Sequence, residues 1–305
     1  MRDEGVIVAR FFSCPMPAAQ CQANPCTSAC GIRHSALQAA SVVKTAVVRL
    51  FVPPQVAVVI PVRLRSTRFP GKPLASIDGR TMVEHVYRRA SAAHSVGRVI
   101  VATEDEQIRD VVTGFGGEVR LTASTHATGT DRVAEVAAAL DSDIIVNVQG
   151  DLPLIEPAAI DDVAGALVAD PTLPMSTLKQ RLDDPAAIND PNVVKVVTTP
   201  DGDALYFSRS PIPFSWGAGA SAWKHIGIYG YRRTFLLDFA RLRPTELEQT
   251  ELLEQLRALE HGYRIRVVET THDSIEVDTP RDLERVHQWL APGGRGPRIE
   301  QRQPV

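Results

Sequence analysis

The residues from Arg63 to Lys72 carry the clearest chemical signal in this sequence. Four cationic side chains, Arg63, Arg65, Arg68 and Lys72, fall within ten residues, and the next acidic residue is Asp78. Arginine can bind phosphate oxygens through two parallel hydrogen bonds, and lysine supplies a compact positive charge. We therefore predict that this segment binds the phosphates of a nucleoside triphosphate.

Small residues in the same segment would let the backbone approach a phosphate group. Ser66, Thr67 and Gly71 have short side chains, so their N–H groups can point at phosphate oxygens. The segment lacks the Walker pattern, in which a lysine and a hydroxyl residue end a glycine-rich loop of fixed length. An exposed basic turn without a ligand is the alternative interpretation.

Two acidic residues elsewhere in the chain could hold a metal ion beside these phosphates. Asp151 follows the apolar run 143–148, and the C-terminal end of a buried strand is where open α/β sheets bind ligands. Asp278 precedes Thr279 and Pro280, a pattern that also begins helices. Carboxylate oxygens are common ligands of Mg²⁺. A polar strand end and a helix cap are the respective alternatives.

A later strand could contact a sugar. At alternating positions His225, Gly227, Tyr229 and Tyr231 share one face of this predicted strand. The face is polar and aromatic, and the glycine leaves space on it, so it suits a sugar. A half-exposed strand with a structural histidine accounts for the same pattern.

A second acidic motif is interpreted as structural. Asp141-Ser142-Asp143 superficially resembles the metal motif of glycosyltransferases. Such a motif should follow the end of a strand, whereas this one precedes its predicted strand. We interpret it as the turn that leads into the strand.

Alternating strands and helices would position these residues. Up to residue 170 the predicted strands are 56–62, 98–103, 117–122 and 143–148, and the predicted helices are 81–93, 105–115 and 130–140. Beyond it the predicted strands are 174–181, 192–199, 203–208, 223–232 and 264–270, and the predicted helices are 233–243, 248–261 and 279–290. Near-continuous apolar strands separated by helices indicate an α/β fold whose parallel sheet is covered on both faces.

Composition divides the chain into three parts. Residues 1–55 contain all four cysteines and carry five Lys/Arg against two Asp/Glu, and we predict that this leader is disordered or dispensable. A zinc site that combines the cysteines with His34 is the alternative, although their spacing fits no common zinc pattern. Residues 56–291 form the predicted main domain, with a smaller lobe inserted at about 180–260. The Gly/Pro/Arg-rich tail, 292–305, is predicted to be disordered.

The overall composition excludes several classes of function. The 305 residues are 44% hydrophobic and 23% charged, which is ordinary for a globular protein, and the formal net charge is −3. Because the leader is positive, the rest of the chain is more acidic still, which argues against general nucleic-acid binding. No apolar run approaches the length of a membrane span. The absence of cysteine beyond the leader indicates a reduced, cytoplasmic protein.

The motifs together resemble the 3-deoxy-manno-octulosonate cytidylyltransferase, or CMP-Kdo synthetase, family over about residues 56–290. The matching segments are IPVR at 60–63, STRFPGKP at 66–73, HATGTDR at 126–132, VNVQGD at 146–151, PNVVK at 191–195, ALYFSRSPIP at 204–213, HIGIYGY at 225–231, ELLEQLR at 251–257 and VDTP at 277–280. So many matches in the same order are specific for this family.

The resemblance implies a Rossmann-like nucleotidyltransferase fold with a mixed, mostly parallel sheet, and a homodimer with the inserted lobe at its interface. It implies that CMP is transferred from CTP to 3-deoxy-manno-octulosonate (Kdo) for cell-envelope synthesis. The implied catalytic residues are Arg68, Lys72, Asp151 and Asp278, of which the two aspartates would bind Mg²⁺. The implied nucleotide-binding residues are Arg63, Ser66, Arg68, Lys72, Thr128, Arg132 and Gln149. The implied sugar-binding residues are Arg209, His225, Tyr229, Glu254 and Gln255.

Two positions depart from the pattern of the family. Leu152 stands where members commonly have glutamate, and Thr128 stands where they commonly have serine. These departures leave open another acid sugar as substrate, such as a sialic acid or an amino-Kdo. A non-catalytic nucleotide-binding homologue is the second alternative.

Overall fold

The computed structural model describes residues 54–65, 69–216, 222–272 and 275–291. Ser66 and Arg68 of the predicted phosphate-binding segment lie outside the described residues, as do the tail and all but two residues of the leader. Within the described ranges, no helix is both long enough and apolar enough to cross a membrane.

Nine of the described strands form one sheet. The strands in chain order are β1 (Val56–Pro61), β2 (Ser76–Ile77), β3 (Arg80–Thr81), β4 (Val96–Thr103), β5 (Glu118–Leu121), β6 (Ile144–Asn147), β7 (Met175–Leu182), β8 (Lys195–Thr198), β9 (Ala204–Ser208), β10 (Ala222–Arg232) and β11 (Ile265–Glu269). The order in the sheet is β11-β7-β10-β6-β1-β4-β5, and β8 and β9 extend it beside β10. Strands β6, β1, β4 and β5 are parallel, whereas β10 runs antiparallel to β6 and β7. The sheet is therefore mixed and mostly parallel, as predicted.

Strand β10 belongs to the range 180–260, which was predicted as an inserted lobe. The structure places it between β6 and β7, so that Tyr229 lies opposite Asn147 of β6. Part of that range is therefore integral to the main sheet, while β8 and β9 lie off its main path. This arrangement brings the predicted sugar-binding strand beside the strand that leads to Asp151.

The helices cover both faces of the sheet. In chain order they are α1 (Met82–Ala90), α2 (Glu106–Gly114), α3 (Gly129–Ala138), α4 (Pro157–Ala169), α5 (Pro185–Asn189), α6 (Arg233–Phe239), α7 (Glu246–Glu251), α8 (Gln255–Glu260) and α9 (Pro280–Leu290). Alternate residues of β1 enter opposite clusters: Val58 and Ile60 pack with α1, α2 and α4, whereas Ala57 and Val59 pack with α3, α6 and α8. This alternation follows from the two-residue period of a strand.

Three differences from the sequence prediction concern helices, of which the first is that the short α5 was not predicted. Helix α4 was not predicted either; it is apolar on much of its surface, including the exposed Val168, so its amphipathic pattern is weak. The predicted helix 248–261 is two helices, α7 and α8, because the chain turns at Leu252, where φ is 53°. A left-handed residue ends an α-helix. The break places Glu254 and Gln255 at the start of α8.

A third apolar cluster anchors the C-terminal helix. Val286 of α9 packs with Ile77 of β2 and Met82 of α1, together with Val277 from the segment before α9. Because β2 and α1 follow the basic segment directly, this cluster joins the far end of the chain to the predicted phosphate-binding region.

The packing of α4 on β10 leads to a stability prediction. A Cβ atom at Gly230 would lie 2.6 Å from Ser176 Oγ and 2.7 Å from Val163 Cγ1, whereas nothing lies within 4 Å of one at Gly227 on the same strand. We expect Gly230→Ala to lower the free energy of unfolding by about 1–3 kcal/mol through overpacking, and Gly227→Ala to change it by less than about 1 kcal/mol. Urea denaturation followed by circular dichroism measures both values, and equal unfolding midpoints would contradict the packing described here.

Candidate active site

A cavity of about 970 Å³ lies at the C-terminal ends of β1 and β6, with a volume typical of ligand sites. The predicted site residues that line it are Arg63, Lys72, Thr128, Arg132, Gln149, Asp151 and Asp278. Arg65, His126 and Glu276 also line it. The structure thus brings together the predicted nucleotide-binding and metal-binding residues that it describes.

Gly150 allows the loops after β1 and β6 to approach each other. A Cβ atom at this position would lie 2.9 Å from Val62 Cγ2 and 3.2 Å from the carbonyl oxygen of Pro61. Any larger residue would push these two loops apart. The glycine therefore holds Asp151 close to the segment that carries Arg63 and Lys72.

Lys72 lies between the two predicted metal ligands. Its Nζ is 2.7 Å from Asp151 Oδ2 and 3.3 Å from Asp278 Oδ1, and all three side chains are largely buried. Burial by itself would lower the pKa of Lys72, but the two carboxylates outweigh burial and raise that pKa above its usual value. Lys72 therefore carries a permanent positive charge inside the cavity.

A backbone hydrogen bond joins Asp151 to the segment before α9. The N–H of Val277 donates to the carbonyl oxygen of Asp151 over 2.9 Å. Asp278 then leads into α9, whose first turn is capped by Thr279 and Asp282 in a reciprocal capping box. Thr279 is therefore the residue that caps the helix, while the side chain of Asp278, one residue before it, faces Lys72.

Glu276 is a third carboxylate that the sequence analysis missed. One carboxylate oxygen each from Asp151, Glu276 and Asp278 lies within 4.8 Å of the other two. Glu276 and Asp278 are two residues apart in an extended segment, with Val277 turned into the core between them. The alternation of acidic and apolar residues at 276–278 is the pattern in the sequence that could have indicated Glu276. Glu276 as a whole residue is exposed, but the surrounding protein desolvates its carboxylate. This desolvation, together with the negative charges of Asp151 and Asp278, raises the pKa of Glu276 to about 7.

The carboxylate cluster fits a small, hard cation such as Mg²⁺. Its donors are oxygen atoms, and Asp151 Oδ1 is buried without a hydrogen-bond partner among the described residues, while Oδ2 accepts from Lys72. An unpaired buried carboxylate oxygen is costly unless a cation reaches it. Even without Glu276, whose pKa is about 7, the two aspartates outnumber the lysine that they both contact, which leaves an excess of negative charge at this point.

The N-terminus of α3 forms the opposite side of the cavity. Thr128 caps the helix and exchanges hydrogen bonds with Asp131 in a capping box. The N–H groups and dipole of a helix N-terminus favour a bound anion. Arg132, one turn on, is buried and donates to Glu104 over 2.7 Å and to Thr122, so its charge is held in place near the cavity.

The aromatic residues of β10 pack side by side. The ring of Tyr229 lies 5.5 Å from that of His225 and 6.1 Å from that of Tyr231. Tyr231 is 1% exposed and packs in the core against Phe235, whereas Tyr229 keeps part of its surface open. Burial lowers the pKa of His225 to about 3, so this imidazole is neutral at physiological pH. The structure therefore favours Tyr229 over Tyr231 as the tyrosine that faces a ligand.

Glu254 and Gln255 lie at the start of α8, and Glu254 contacts the start of α3. Thr130 donates to Glu254 Oε2, and Glu254 Oε1 forms a long ion pair of 3.9 Å with Nη2 of Arg257. The Nε2 of the buried Gln255 has no hydrogen-bond partner among the described residues. Burial raises the pKa of Glu254 above its usual value. Besides burial, the negative charge of Glu254 helps to raise the pKa of Tyr229, so these groups lie near that tyrosine. They form a polar cluster next to the cavity, although neither residue lines it.

Arg209 is held in a network of its own. Its Nε donates to the carbonyl oxygen of Glu251 over 2.7 Å and its Nη1 to that of Pro191 over 3.0 Å. The Glu251 carboxylate accepts from the backbone N–H of Arg209 as well. Arg209 does not line the cavity, and neither do the other predicted sugar-binding residues, His225, Tyr229, Glu254 and Gln255.

Comparison with known proteins reveals close relatives of this chain. A family model described as cytidylyltransferase matches residues 57–265. The chain is 55% identical over 249 residues to a 3-deoxy-manno-octulosonate cytidylyltransferase of Geobacter metallireducens, an alignment that covers 78% of this chain and 98% of that protein. It is 56% identical over 236 residues to the protein of the same name from Solibacter usitatus, covering 77% and 94% respectively.

Solved structures also resemble the chain. A CMP:2-keto-3-deoxy-manno-octonic acid synthetase complexed with CTP matches with a TM-score of 0.75 and 42% identity, covering 78% of this chain and 98% of that one. A cytidylyltransferase from Leptospira borgpetersenii matches with a TM-score of 0.53 at 15% identity, covering 78% and 87%, which is a likeness of fold alone.

Proposed function

The chain belongs to the 3-deoxy-manno-octulosonate cytidylyltransferase family, and on this premise we propose that it transfers the CMP group of CTP to the anomeric hydroxyl group of Kdo and releases pyrophosphate. The observation that carries the proposal is the meeting of Lys72, Asp151 and Asp278 in the cavity that the α3 N-terminus also lines. Positive charge for a triphosphate and carboxylates for a metal ion lie side by side there, as nucleotidyl transfer requires.

The triphosphate would lie between the segment after β1 and the start of α3. Arg63 and Lys72 line one side of the cavity, and Thr128 and Arg132 line the other. Arg68 and Ser66, outside the described residues, belong to the same basic segment and are assigned to phosphate binding by the resemblance. This arrangement offsets the charge of the phosphates from two directions without a Walker loop.

Asp151 and Asp278 would hold Mg²⁺, with Glu276 as a neighbouring carboxylate. The support is the unpaired Asp151 Oδ1 and the short distances among the three acids. When bound, the cation would offset charge on the α-phosphate and lower the pKa of the attacking hydroxyl group. Lys72, ion-paired with both aspartates, would remain beside the phosphates and stabilise the departing pyrophosphate.

The acid sugar would bind between β10 and the start of α8. Tyr229 offers an aromatic surface, Glu254 offers a carboxylate, and Gln255 offers a buried Nε2 that has no hydrogen-bond partner among the described residues. The neutral ring of His225 packs beside that of Tyr229. Arg209 would act on this subsite only indirectly, through the loop around Glu251 that it holds. Leu152 is buried in an apolar cluster with β1 and α4, so it contributes packing rather than a carboxylate.

The reaction is a single in-line displacement. The anomeric oxygen forms a bond to the α-phosphorus as the bond from that phosphorus to the pyrophosphate oxygen breaks. The residues of the cavity bind, orient and offset charge, which supplies most of the catalysis in phosphoryl transfer. We place the reaction in the cytoplasm, since the chain has no cysteine after Cys30, and the product would serve cell-envelope polysaccharide or lipopolysaccharide synthesis.

Pyrophosphate release tests this function. Wild-type protein with CTP and Mg²⁺ should release pyrophosphate with Kdo, and the rates with a sialic acid and an amino-Kdo in parallel reactions rank the alternative sugars. Binding of CTP without pyrophosphate release from any of these sugars would favour the non-catalytic homologue instead.

The aspartate at the tip of β6 gives a sharper test. We expect Asp151→Asn to lower CMP-sugar formation by on the order of 100-fold or more, the scale for groups that offset charge in a transition state, with an unchanged circular dichroism spectrum. Asp141→Asn, at the opposite end of β6 and exposed, should keep wild-type activity. Wild-type turnover by Asp151→Asn would refute its role, and loss in Asp141→Asn would favour the glycosyltransferase interpretation.

Metal binding can be measured without catalysis. We expect titration with Mn²⁺, followed by electron paramagnetic resonance, to show weaker binding by at least about 10-fold in Asp278→Asn, and a smaller loss in Glu276→Gln. Glu284→Gln, an exposed residue of α9, provides the matched control for loss of one negative charge. Equal Mn²⁺ affinity in Asp278→Asn and wild type would remove the metal site from this cluster.

A homodimer is the assembly we propose, with its interface near β9. Leu205 is 60% exposed, Leu252 is 76% exposed, and the neighbouring rings of Phe214 and Trp216 are 81% and 95% exposed. Arg209, just beyond β9, donates to the carbonyl oxygen of Leu252, so strand and loop are adjacent. Large exposed apolar groups concentrated in one region are typical of interaction surfaces.

Sedimentation velocity tests the dimer. We expect the wild-type chain to sediment as a dimer and the double variant Leu252→Ser/Trp216→Ser to shift towards monomer, because the interface loses two of its exposed apolar groups. Leu121→Ser, on the edge strand β5 at the other end of the sheet and 48% exposed, should leave the dimer intact. A monomeric wild type, or equal effects of the two changes, would contradict the assignment.

A further inference from the structure

Asn147 is a fully buried polar residue to which the mechanism above assigns no role. It ends β6 after three apolar residues, and its side chain has no exposure to solvent. Its Nδ2 has no hydrogen-bond partner among the described residues. A buried amide donor without a partner costs free energy of folding. A side chain that weakens the core in this way calls for an explanation in function.

The surroundings of Asn147 connect it to the cavity. Across the sheet it lies between Val59 of β1 and Tyr229 of β10, on the face that α3 covers. Its Oδ1 accepts a hydrogen bond of 3.2 Å from Nε2 of Gln149. Gln149 lines the cavity, whereas Asn147 does not. Gln149 therefore connects Asn147 to the cavity.

This hydrogen bond sets the direction of the Gln149 side chain. Because Nε2 is engaged with Asn147, the carbonyl oxygen Oε1 is left to face the start of α3, where a Cβ atom at Gly129 would lie 4.0 Å from it. A carbonyl oxygen can accept hydrogen bonds but cannot donate them. Phosphate oxygens are acceptors too, so Gln149 Oε1 does not suit the triphosphate. Hydroxyl groups do suit it, those of the acid sugar and equally those of the CTP ribose. The position of Tyr229 opposite Asn147 favours the acid sugar.

We infer that Asn147 is a positioning residue that holds Gln149 with its carbonyl oxygen towards the cavity, where it accepts a hydrogen bond from a hydroxyl group of the acid sugar. The inference rests on the proposed function and deepens it, since Tyr229, the register partner of Asn147, belongs to the proposed sugar subsite. The sequence pattern alone offered no sign of this role, because Asn147 follows an apolar run and ends an otherwise ordinary buried strand.

Steady-state kinetics with CTP and Kdo test the inference. We expect Asn147→Leu to raise the KM for the sugar about 10-fold, the effect of one lost hydrogen bond, with kcat and the KM for CTP within about twofold of wild type. Asn147→Asp keeps an acceptor for Gln149 and should keep the sugar KM within about threefold. Thermal unfolding of Asn147→Leu should not occur at a lower temperature, because the substitution removes the unpaired donor.

A double-mutant cycle tests whether Asn147 acts through Gln149. The variant Asn147→Leu/Gln149→Leu should show the same sugar KM as Gln149→Leu alone, because the second change has nothing left to position. If Asn147→Leu fails to fold, Asn147→Ser takes its place with the same expected KM.

Three outcomes would overturn the inference: an unchanged sugar KM in Asn147→Leu, an equal rise in the KM for CTP, or additive effects in the double variant. Failure of the wild-type protein to turn over any acid sugar is a separate result. It would overturn the proposed function, and this inference with it, whereas the three outcomes above leave the proposed function intact.

Discussion

The site depends on the meeting of three distant chain segments at Asp151. Its carboxylate binds Lys72 from the segment after β1, and its carbonyl oxygen accepts from Val277, just before α9. Lys72 in turn contacts Asp278. These contacts span from residue 72 to residue 278, so each one closes a long loop whose entropy the rest of the fold must offset. The apolar cluster around Val286 supplies part of that stabilisation.

The sheet makes this convergence geometrically possible. Parallel β1 and β6 end at the same edge, where open α/β sheets present their ligand sites. Gly150 lets the two following loops touch, and the start of α3 faces them with its free N–H groups. Antiparallel β10 enters beside β6 and brings Tyr229 to the same edge. The proposed triphosphate subsite and the proposed sugar subsite thus lie on either side of β6, next to β1 and β10 respectively.

Three buried polar atoms beside the proposed substrate sites lack hydrogen-bond partners among the described residues. They are Asn147 Nδ2, Asp151 Oδ1 and Gln255 Nε2, and further atoms of this kind, among them His85 Nδ1, lie elsewhere in the described residues. Each lowers the stability of the fold, since a buried polar atom has lost its hydrogen bonds to water. Pairing with a cation or a sugar would recover that free energy on binding. The polar groups that would help to bind the substrates therefore lower the stability of the free protein.

Much of the fold was predictable because it is encoded locally. The apolar runs of β1, β4 and β6 and the helical spacing in α1 appear directly in the order of residues, and the basic segment at 63–72 and Asp151 could be recognised by charge and position. Helix α4 was missed because its apolar residues are not confined to one face. The break at Leu252 was missed because leucine carries no sequence signal for a left-handed conformation.

The sequence by itself determined which chemical groups are available and on which strands and loops they lie. Only the tertiary structure decided which of them act together. It added Glu276 to the two aspartates, engaged Arg209 with backbone carbonyl groups away from the cavity, and buried Asn147 beside Gln149. The physical reason is that these relations depend on contacts between residues far apart in the chain, and on which polar atoms lose water when the helices cover the sheet.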